Sequence, residues 1–436
     1  MQEVKTAPIE RLGEARFDSP LRRTEVDPAH PNPFVSDDEY IPLHITQNLT
    51  AERPGNVLFE KAGPRERVFF DAAQSRAAVV TCGGLCPGLN NVIRSLVLSL
   101  RCHYGVPVVY GIRYGYHGLN PATTHPPVEL SVEEVSDIHE IGGTVIGTSR
   151  GPQEPAVMLE TLKRLSVNML FTVGGDGTQR GAYALHEEAM RQGYPLAVVG
   201  VPKTIDNDIQ FVSRTFGFGT AVDAARAVID VAHTEARAVL NGVGLVKLMG
   251  RDSGFIAAAA ALASGEVNYC LIPEQPFALE GERGLLAVLE KRLERKRHAV
   301  IVVAEGAGQE IIPKEGLQRD ASGNVLHADV GTFLRERIGA HFKALGRPVN
   351  VRYIDPSYII RGLAAETEDA VLCDSLARHA AHAAMSGRSG LIIGSMHNRF
   401  MHVPTAMATD GRKKVQLNGE LWKGVLAVTG QPASWL

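Results

Sequence analysis

Past residue 75 the chain alternates short apolar runs with Gly-rich turns and stretches of helical texture. In the first half the runs are "AAVVTC" (Ala77–Cys82), "PVVYG" (Pro107–Gly111), "NMLFTV" (Asn168–Val173) and "LAVVGV" (Leu196–Val201). In the second half they are "GLVKL" (Gly244–Leu248), "AVIVVA" (Ala299–Ala304), "VNVRY" (Val349–Tyr353) and "LIIG" (Leu391–Gly394). Runs apolar on both parities are the mark of strands covered on both faces. Between them "VIRSLVLSL" and "AYALHEEAMRQG" read as helices, and "FIAAAAALA" as a buried helix face. The alternation predicts an α/β fold with parallel sheets. At 436 residues the chain is long enough for two domains. Ligands in such sheets sit beyond the carboxyl ends of the strands, so motifs that follow the predicted strands should converge on one cleft.

Residues 1–75 break this pattern. They are rich in Pro and charge ("DPAHPNPFVSDDEY") and weakly periodic, which predicts an extension that wraps the body or is partly mobile. Net charge is −3, so neither nucleic acid nor an anionic membrane is indicated as a partner. The N-terminus lacks an apolar signal core and no apolar stretch reaches spanning length, which points to the cytoplasm. Five Cys, widely spaced, argue against a disulfide framework. Cys82 and Cys86 resemble half of a metal site, but no second pair has suitable spacing, so they read as buried thiols.

Chemistry gathers just after the predicted strands. "GGLCPGLNN" (Gly83–Asn91) follows one, and its glycines suit close backbone approach to a phosphate at the start of a helix. "TVGGDGTQRGA" (Thr172–Ala182) places Asp176 among Gly174, Gly175 and Gly177, a carboxylate beside a phosphate cradle and hence a candidate for Mg2+. Thr178 can cap the helix or donate to phosphate. "PKTIDND" (Pro202–Asp208) offers the hydroxyl of Thr204, with Asp206 and Asp208 on one side of a segment read as extended. One of the two acids suits a general base, and Lys203 suits an anionic transition state. A plain Asx-rich turn is the competing reading. "MGRDSGFIA" (Met249–Ala257) sets Arg251 at a strand end, "AEGAGQ" sets Glu305 at another, and "VRYIDPSYIIRG" carries Arg352, Tyr358 and Arg361. One metal-type acid, one base, one cradle and two separated basic groups describe phosphoryl transfer from a nucleotide to a phosphorylated small molecule.

These motifs, with "GGTVIGTSRG" and "GFGTA", occur in the order found in the 6-phosphofructokinase family, and the chain resembles its longer plant and trypanosomatid members over about residues 77–400. The resemblance implies two Rossmann-like three-layer αβα domains with an active-site cleft between them, plus the N-terminal extension. It places a nucleotide-binding domain at 76–218, with room for the chain to cross back, a sugar-phosphate domain at 219–400, and a C-terminal segment at 401–436. It implies a glycolytic, allosteric kinase converting fructose 6-phosphate with Mg2+ and ATP. In this likeness Asp206 is the general base, with Thr204 and Ile205 beside the same substrate. Asp176 holds Mg2+, and Gly84, Arg150, Gly151, Gly175, Gly177 and Thr178 meet nucleotide phosphates. Met249, Gly250, Arg251, Glu305, Arg352, Tyr358 and Arg361 meet the sugar phosphate. In the family one such Arg comes from a neighbouring subunit, which implies a homo-oligomer, dimer or tetramer. Two positions depart: Tyr358 stands where many bacterial relatives carry His, and Gly242 where many carry Arg.

The resemblance also bears on the donor. Pyrophosphate users share Lys203 but carry Asp at the position of Gly177, where a carboxylate would crowd and repel a nucleotide α-phosphate. Gly177 together with Lys203 is the combination of the plant-like ATP users, so ATP is expected and pyrophosphate is the alternative. NAD and diacylglycerol kinases share "GGDGT" but not the later blocks. A regulatory subunit without activity should have lost the base or the metal acid, and both are present.

Overall fold

The computed structural model describes residues 5–23, 34–46, 56–313 and 326–435. Its main strands, in chain order, are β1 (Arg76–Thr81), β2 (Val108–Ile112), β3 (Val128–Glu129), β4 (Met169–Gly174), β5 (Ala197–Pro202), β6 (Gly242–Leu248), β7 (Tyr269–Leu271), β8 (His298–Ala304), β9 (Asn350–Ile354), β10 (Leu391–Met396) and β11 (Arg399–Pro404). They build two α/β units. The first takes the chain through Thr204, then Ile209–Phe216 and Ala364–Arg412. The second takes Ile205–Asp208, Gly217–Leu363 and Lys413–Leu436.

The first unit holds a seven-stranded sheet of order β11-β10-β5-β4-β1-β2-β3. Its inner five strands are parallel and its two edges antiparallel. Every residue of β4 and β5 is buried, as expected for strands covered on both sides. Helices α1 (Leu89–Leu98), α2 (Pro155–Arg164) and α3 (Asp176–Arg191) follow the strands. Met158, Leu159 and Leu185 of α2 and α3 pack on Ala78, Val80, Leu170 and Val198. The register sets Val173 beside Thr81 and Gly174 beside Pro202, so the loops after β1, β4 and β5 leave from one edge.

The first unit also takes Ala364–Arg412, which begins inside the stretch 219–400 expected as one domain. A later helix (Thr367–Met385) packs on α1 and on β5, and β10 pairs with β5. The residues expected as one C-terminal segment from 401 are divided at Arg412. The extension belongs to this unit as well. Phe59, Ile41 and Ala7 pack against Ile392, Met401 and Val403. The Pro-rich run from 27 to 33 lies outside the described residues.

The second unit has four parallel strands in the order β7-β8-β6-β9. Leucines of its helices Leu285–Lys296 and Val330–Ala344 cover Leu245, Ile301 and Val303. The Ala-rich run forms the helix Phe255–Ser264, whose small residues pack closely on neighbouring helices. Gly242 opens β6, and a Cβ there would sit 2.1 Å from the Ala236 carbonyl oxygen. The backbone thus excludes the Arg that many bacterial relatives carry at this position.

Candidate functional site

In the first unit three loops are stitched together at the strand ends. Gly83 has φ +87°, a conformation that favours glycine. Its N–H donates to Ser149 O (2.9 Å) and its carbonyl accepts from Thr148 Oγ1 (2.7 Å), which joins "GGLCPG" to the loop of Arg150 and Gly151. The buried Lys203 donates its Nζ to Gly84 O at 2.7 Å. The third loop is the start of α3. A Cβ on Gly174 would lie 2.2 Å from Thr178 Oγ1, so only glycine fits. Buried Gln179 donates to the carbonyls of Thr172 and Gly174, which ties off the end of β4.

The N-cap of α3, Gly175, offers no side chain to the first amides of the helix, an arrangement suited to an anion. Gly177, one residue into that helix, is exposed, and a Cβ there would meet nothing within 4 Å. Asp176 pairs with Arg180, and Arg412 Nη2 stands 3.8 Å away. Burial pushes the Asp176 carboxyl up, while Arg180 and Arg412 pull it back.

The second unit holds the other group of motif residues. Ile205 and Asp206 form a turn, and Asn207 follows at φ +53°. The segment expected to be extended is therefore turned, because Asn tolerates the left-handed conformation that reverses the chain here. The Asp206 carbonyl accepts from Ser253 Oγ at 3.1 Å, which links the turn to the strip Met249–Arg251. That strip leaves the end of β6, and Glu305 leaves the end of β8 beside it, with Glu305 N–H donating to Leu248 O (2.9 Å). Gly306 passes so close that a Cβ would lie 1.8 Å from Arg251 O. Burial raises the Glu305 carboxyl, opposed by His327, Lys247 and Arg251.

Arg352 is not at this edge. It lies opposite Gly244 in the register, four residues and so about 13 Å before the end of β6. Arg361 stacks on the ring of Tyr358 at 4.7 Å, and Tyr358 is 79% exposed.

Sequence reasoning missed several groups. Arg412 beside Asp176 and Lys413 beside Asn207 (Nζ to Oδ1, 3.1 Å) both come from a polar run without periodicity, distant in sequence from the residues they meet. Lys247 pairs with Asp355 at 2.7 Å, hidden in an otherwise apolar strand. Four cysteines are buried and Cys102 is exposed, all of them free. Burial pushes the Cys82 thiol up to about 12, against a thiolate ligand role.

Among the described residues no group of three or more His, Cys, Asp or Glu side chains could enclose a metal. Mg2+ does not require one, since it is commonly held by one carboxylate together with substrate phosphates and water. The Asp176 carboxylate at an open helix start fits that donor set. Among the described residues no helix is long and apolar enough to cross a membrane.

A family model described as Phosphofructokinase matches residues 76–384. The ATP-dependent 6-phosphofructokinase of Borreliella burgdorferi is 45% identical over 433 residues, covering 98% of this chain and 97% of that protein. The ATP-dependent 6-phosphofructokinase of Trypanosoma cruzi is 49% identical, covering 86% and 77%. The chloroplastic ATP-dependent 6-phosphofructokinase 4 of Arabidopsis thaliana is 43% identical, covering 96% and 78%. Among solved structures, a pyrophosphate-dependent phosphofructokinase from Marinobacter aquaeolei has the same fold, with a TM-score of 0.68 at 21% identity over 82% of this chain and 91% of that one. With likeness of this extent to plant, trypanosomatid and bacterial enzymes, the chain belongs to the phosphofructokinase family.

Proposed function

We infer that this protein transfers the γ-phosphoryl group of ATP to the 1-hydroxyl of fructose 6-phosphate, giving fructose 1,6-bisphosphate and ADP. The observation that carries the reading is likeness over 98% of the chain to an enzyme named for that reaction. Gly177 supports ATP in particular, because the start of α3 carries no side chain there to oppose a nucleotide phosphate.

In this reading Asp206 accepts the proton of the sugar 1-hydroxyl as its oxygen bonds to the γ-phosphorus and the bond to the β–γ bridging oxygen breaks. Lys203 and Arg251 offset the charge that develops on the transferring group. Gly84, Arg150, Gly151 and Gly175 through Thr178 hold the nucleotide phosphates by backbone amides and one guanidinium. Thr204, Ile205, Met249, Gly250 and Glu305 meet the sugar, Tyr358 and Arg361 its 6-phosphate, and Arg352, set back from this edge, meets the 6-phosphate bound by a neighbouring subunit. Asp176 would hold Mg2+, which when bound neutralises phosphate charge. Assembly into a dimer or tetramer and a cytosolic setting belong to the same reading, and light scattering on the purified chain tests the first.

The experiment is an assay of the purified protein with fructose 6-phosphate and Mg2+, with ATP in one reaction and pyrophosphate in another. Fructose 1,6-bisphosphate from ATP alone is expected. Product from pyrophosphate alone would make Lys203, shared with pyrophosphate users, the more telling residue and overturn the donor assignment.

A further inference from the structure

Beyond the stretch matched by the family model, the chain returns to the turn that carries Asp206. Lys413 meets this turn twice. Its backbone N–H donates to the carbonyl of Asp208 at 2.8 Å, and its Nζ donates to Asn207 Oδ1 at 3.1 Å. The same Nζ lies 5.1 Å from the centroid of the Phe255 ring, at the start of the helix Phe255–Ser264. Two residues on, Val415 N–H donates to Glu274 Oε1 at 2.9 Å. The two Glu274 oxygens also accept the N–H of Gly254, each at 3.0 Å. Gly254 is the N-cap of that helix and directly follows Ser253, whose hydroxyl holds the Asp206 carbonyl.

Residues 413–415 therefore form a strap across two motif loops of the second unit. The strap fixes the turn 205–208 at one end and the start of the helix after Met249–Arg251 at the other. The Lys413 side chain is half-buried, and a partly desolvated ammonium is costly unless its donors are engaged, as they are here with Asn207. Burial pulls the Lys413 ammonium down to about 8, opposed by the charge of Asp208. Asn207 needs such a support. Its left-handed backbone is a local cost that the surrounding contacts must hold.

We propose that Lys413 is a positioning residue for the reaction, which sets the Asp206 carboxylate through its hydrogen bonds to Asn207 and Asp208. The proposal rests on Asp206 being the general base. Misplacing a base by about 1 Å costs up to about 100-fold in rate. Lys413→Met, which keeps the apolar stem, should lower kcat about 10- to 100-fold and leave KM for ATP within about twofold.

Asn207→Gly keeps the left-handed backbone and removes the acceptor, so it should give a similar loss. The double variant should lose no more than either single one, since the two act as a unit. Lys413→Arg should recover part of kcat, which a generic packing defect would not allow. Thermal midpoints are measured alongside. If Lys413→Met fails to fold, Asn207→Gly with its kcat-against-KM split carries the test.

Loss of kcat with non-additivity supports the proposal. Wild-type kcat in Lys413→Met, or in Asn207→Gly, overturns it, as do independent additive losses. A wild-type protein that makes no fructose 1,6-bisphosphate from either donor overturns the functional reading, and this proposal with it. An active wild type with an equally active Lys413→Met overturns the positioning role alone.

Discussion

Gly177→Asp separates donor choice from folding. Gly177 lies in the first turn of α3, is exposed, has no positive φ and has open space where a Cβ would go. The side chain is accommodated, and replacing glycine in a helix is worth a few tenths of a kcal/mol, up to about 0.5. An added acid in the first turn of a helix contributes about 0.3–1 kcal/mol more, reduced here by the adjacent Asp176. The thermal midpoint should therefore hold or rise slightly. ATP use should not hold. A carboxylate about 5 Å from a phosphate charge repels it by about 1 kcal/mol in water and about 3 kcal/mol at an effective dielectric of about 20. At about 1.4 kcal/mol per tenfold, that is a loss of about 5- to 150-fold in kcat/KM for ATP. It should appear first in KM, since the repulsion acts on the bound nucleotide as well as on the transition state. The assay follows fructose 1,6-bisphosphate at saturating fructose 6-phosphate while ATP is varied, with calorimetry on the same samples. A folded variant whose kcat/KM for ATP stays within twofold of wild type would refute the argument, because the position would then not face the nucleotide.

Other substitutions test the remaining groups. Asp206→Asn should lower kcat by about 10²- to 10⁴-fold with little change in KM for fructose 6-phosphate, read in the same assay. Lys203→Met removes both the donor to Gly84 O and a charge beside the transferring group, so it should raise KM for ATP about tenfold and lower kcat as well, as seen in initial rates against ATP. Glu60→Gln removes the more buried of the two carboxylates, Glu60 and Asp37, that the buried guanidinium groups of Arg65 and Arg388 share, and should cost up to about 3 kcal/mol in chemical denaturation, the loss being limited by the Asp37 pairs that remain. Burial alone would raise the Glu60 carboxyl, but His402, Arg388 and Arg65 hold it well below its ordinary 4.5, while burial pushes His402 down from 6.5 to about 4. Both groups bind protons more readily unfolded, so stability should fall as pH drops below about 6.5 and more steeply below about 4.5, followed as the thermal midpoint against pH.

The parts of the fold legible in the sequence are those whose signal is local. β4 and β5 announce themselves because a strand covered on both faces is apolar almost throughout, Thr172 of β4 being the exception. Gly174 and Gly83 are legible for a related reason, since a close approach and a left-handed turn each leave room for one residue type only. β11 is not legible because "RFMHVP" breaks its apolar residues with Arg399 and His402 and so shows neither a continuous apolar run nor a clean alternation. The turn at Asp206 is not legible because the spacing of two acids fits an extended segment equally well, and only the backbone and contacts of Asn207 decide between them.

The supports of the candidate site fall almost wholly into the second class. Lys413 and Arg412 sit in "DGRKK", which by local pattern is a solvated charge run, yet one meets the turn of Asp206 and the other stands beside Asp176. Return of the chain over two hundred residues leaves no periodicity to detect. The order of the motifs was enough to point to the chemistry, because groups that bind phosphate must use backbone at strand ends and therefore glycine. The residues that hold those groups in place are under no such local constraint, since any donor of the right reach can fill them. Substitution of Gly177 therefore asks what the site binds. Substitution of Lys413 asks whether the chain beyond the matched domain has been recruited to hold the site in register, a question that the motifs alone do not raise.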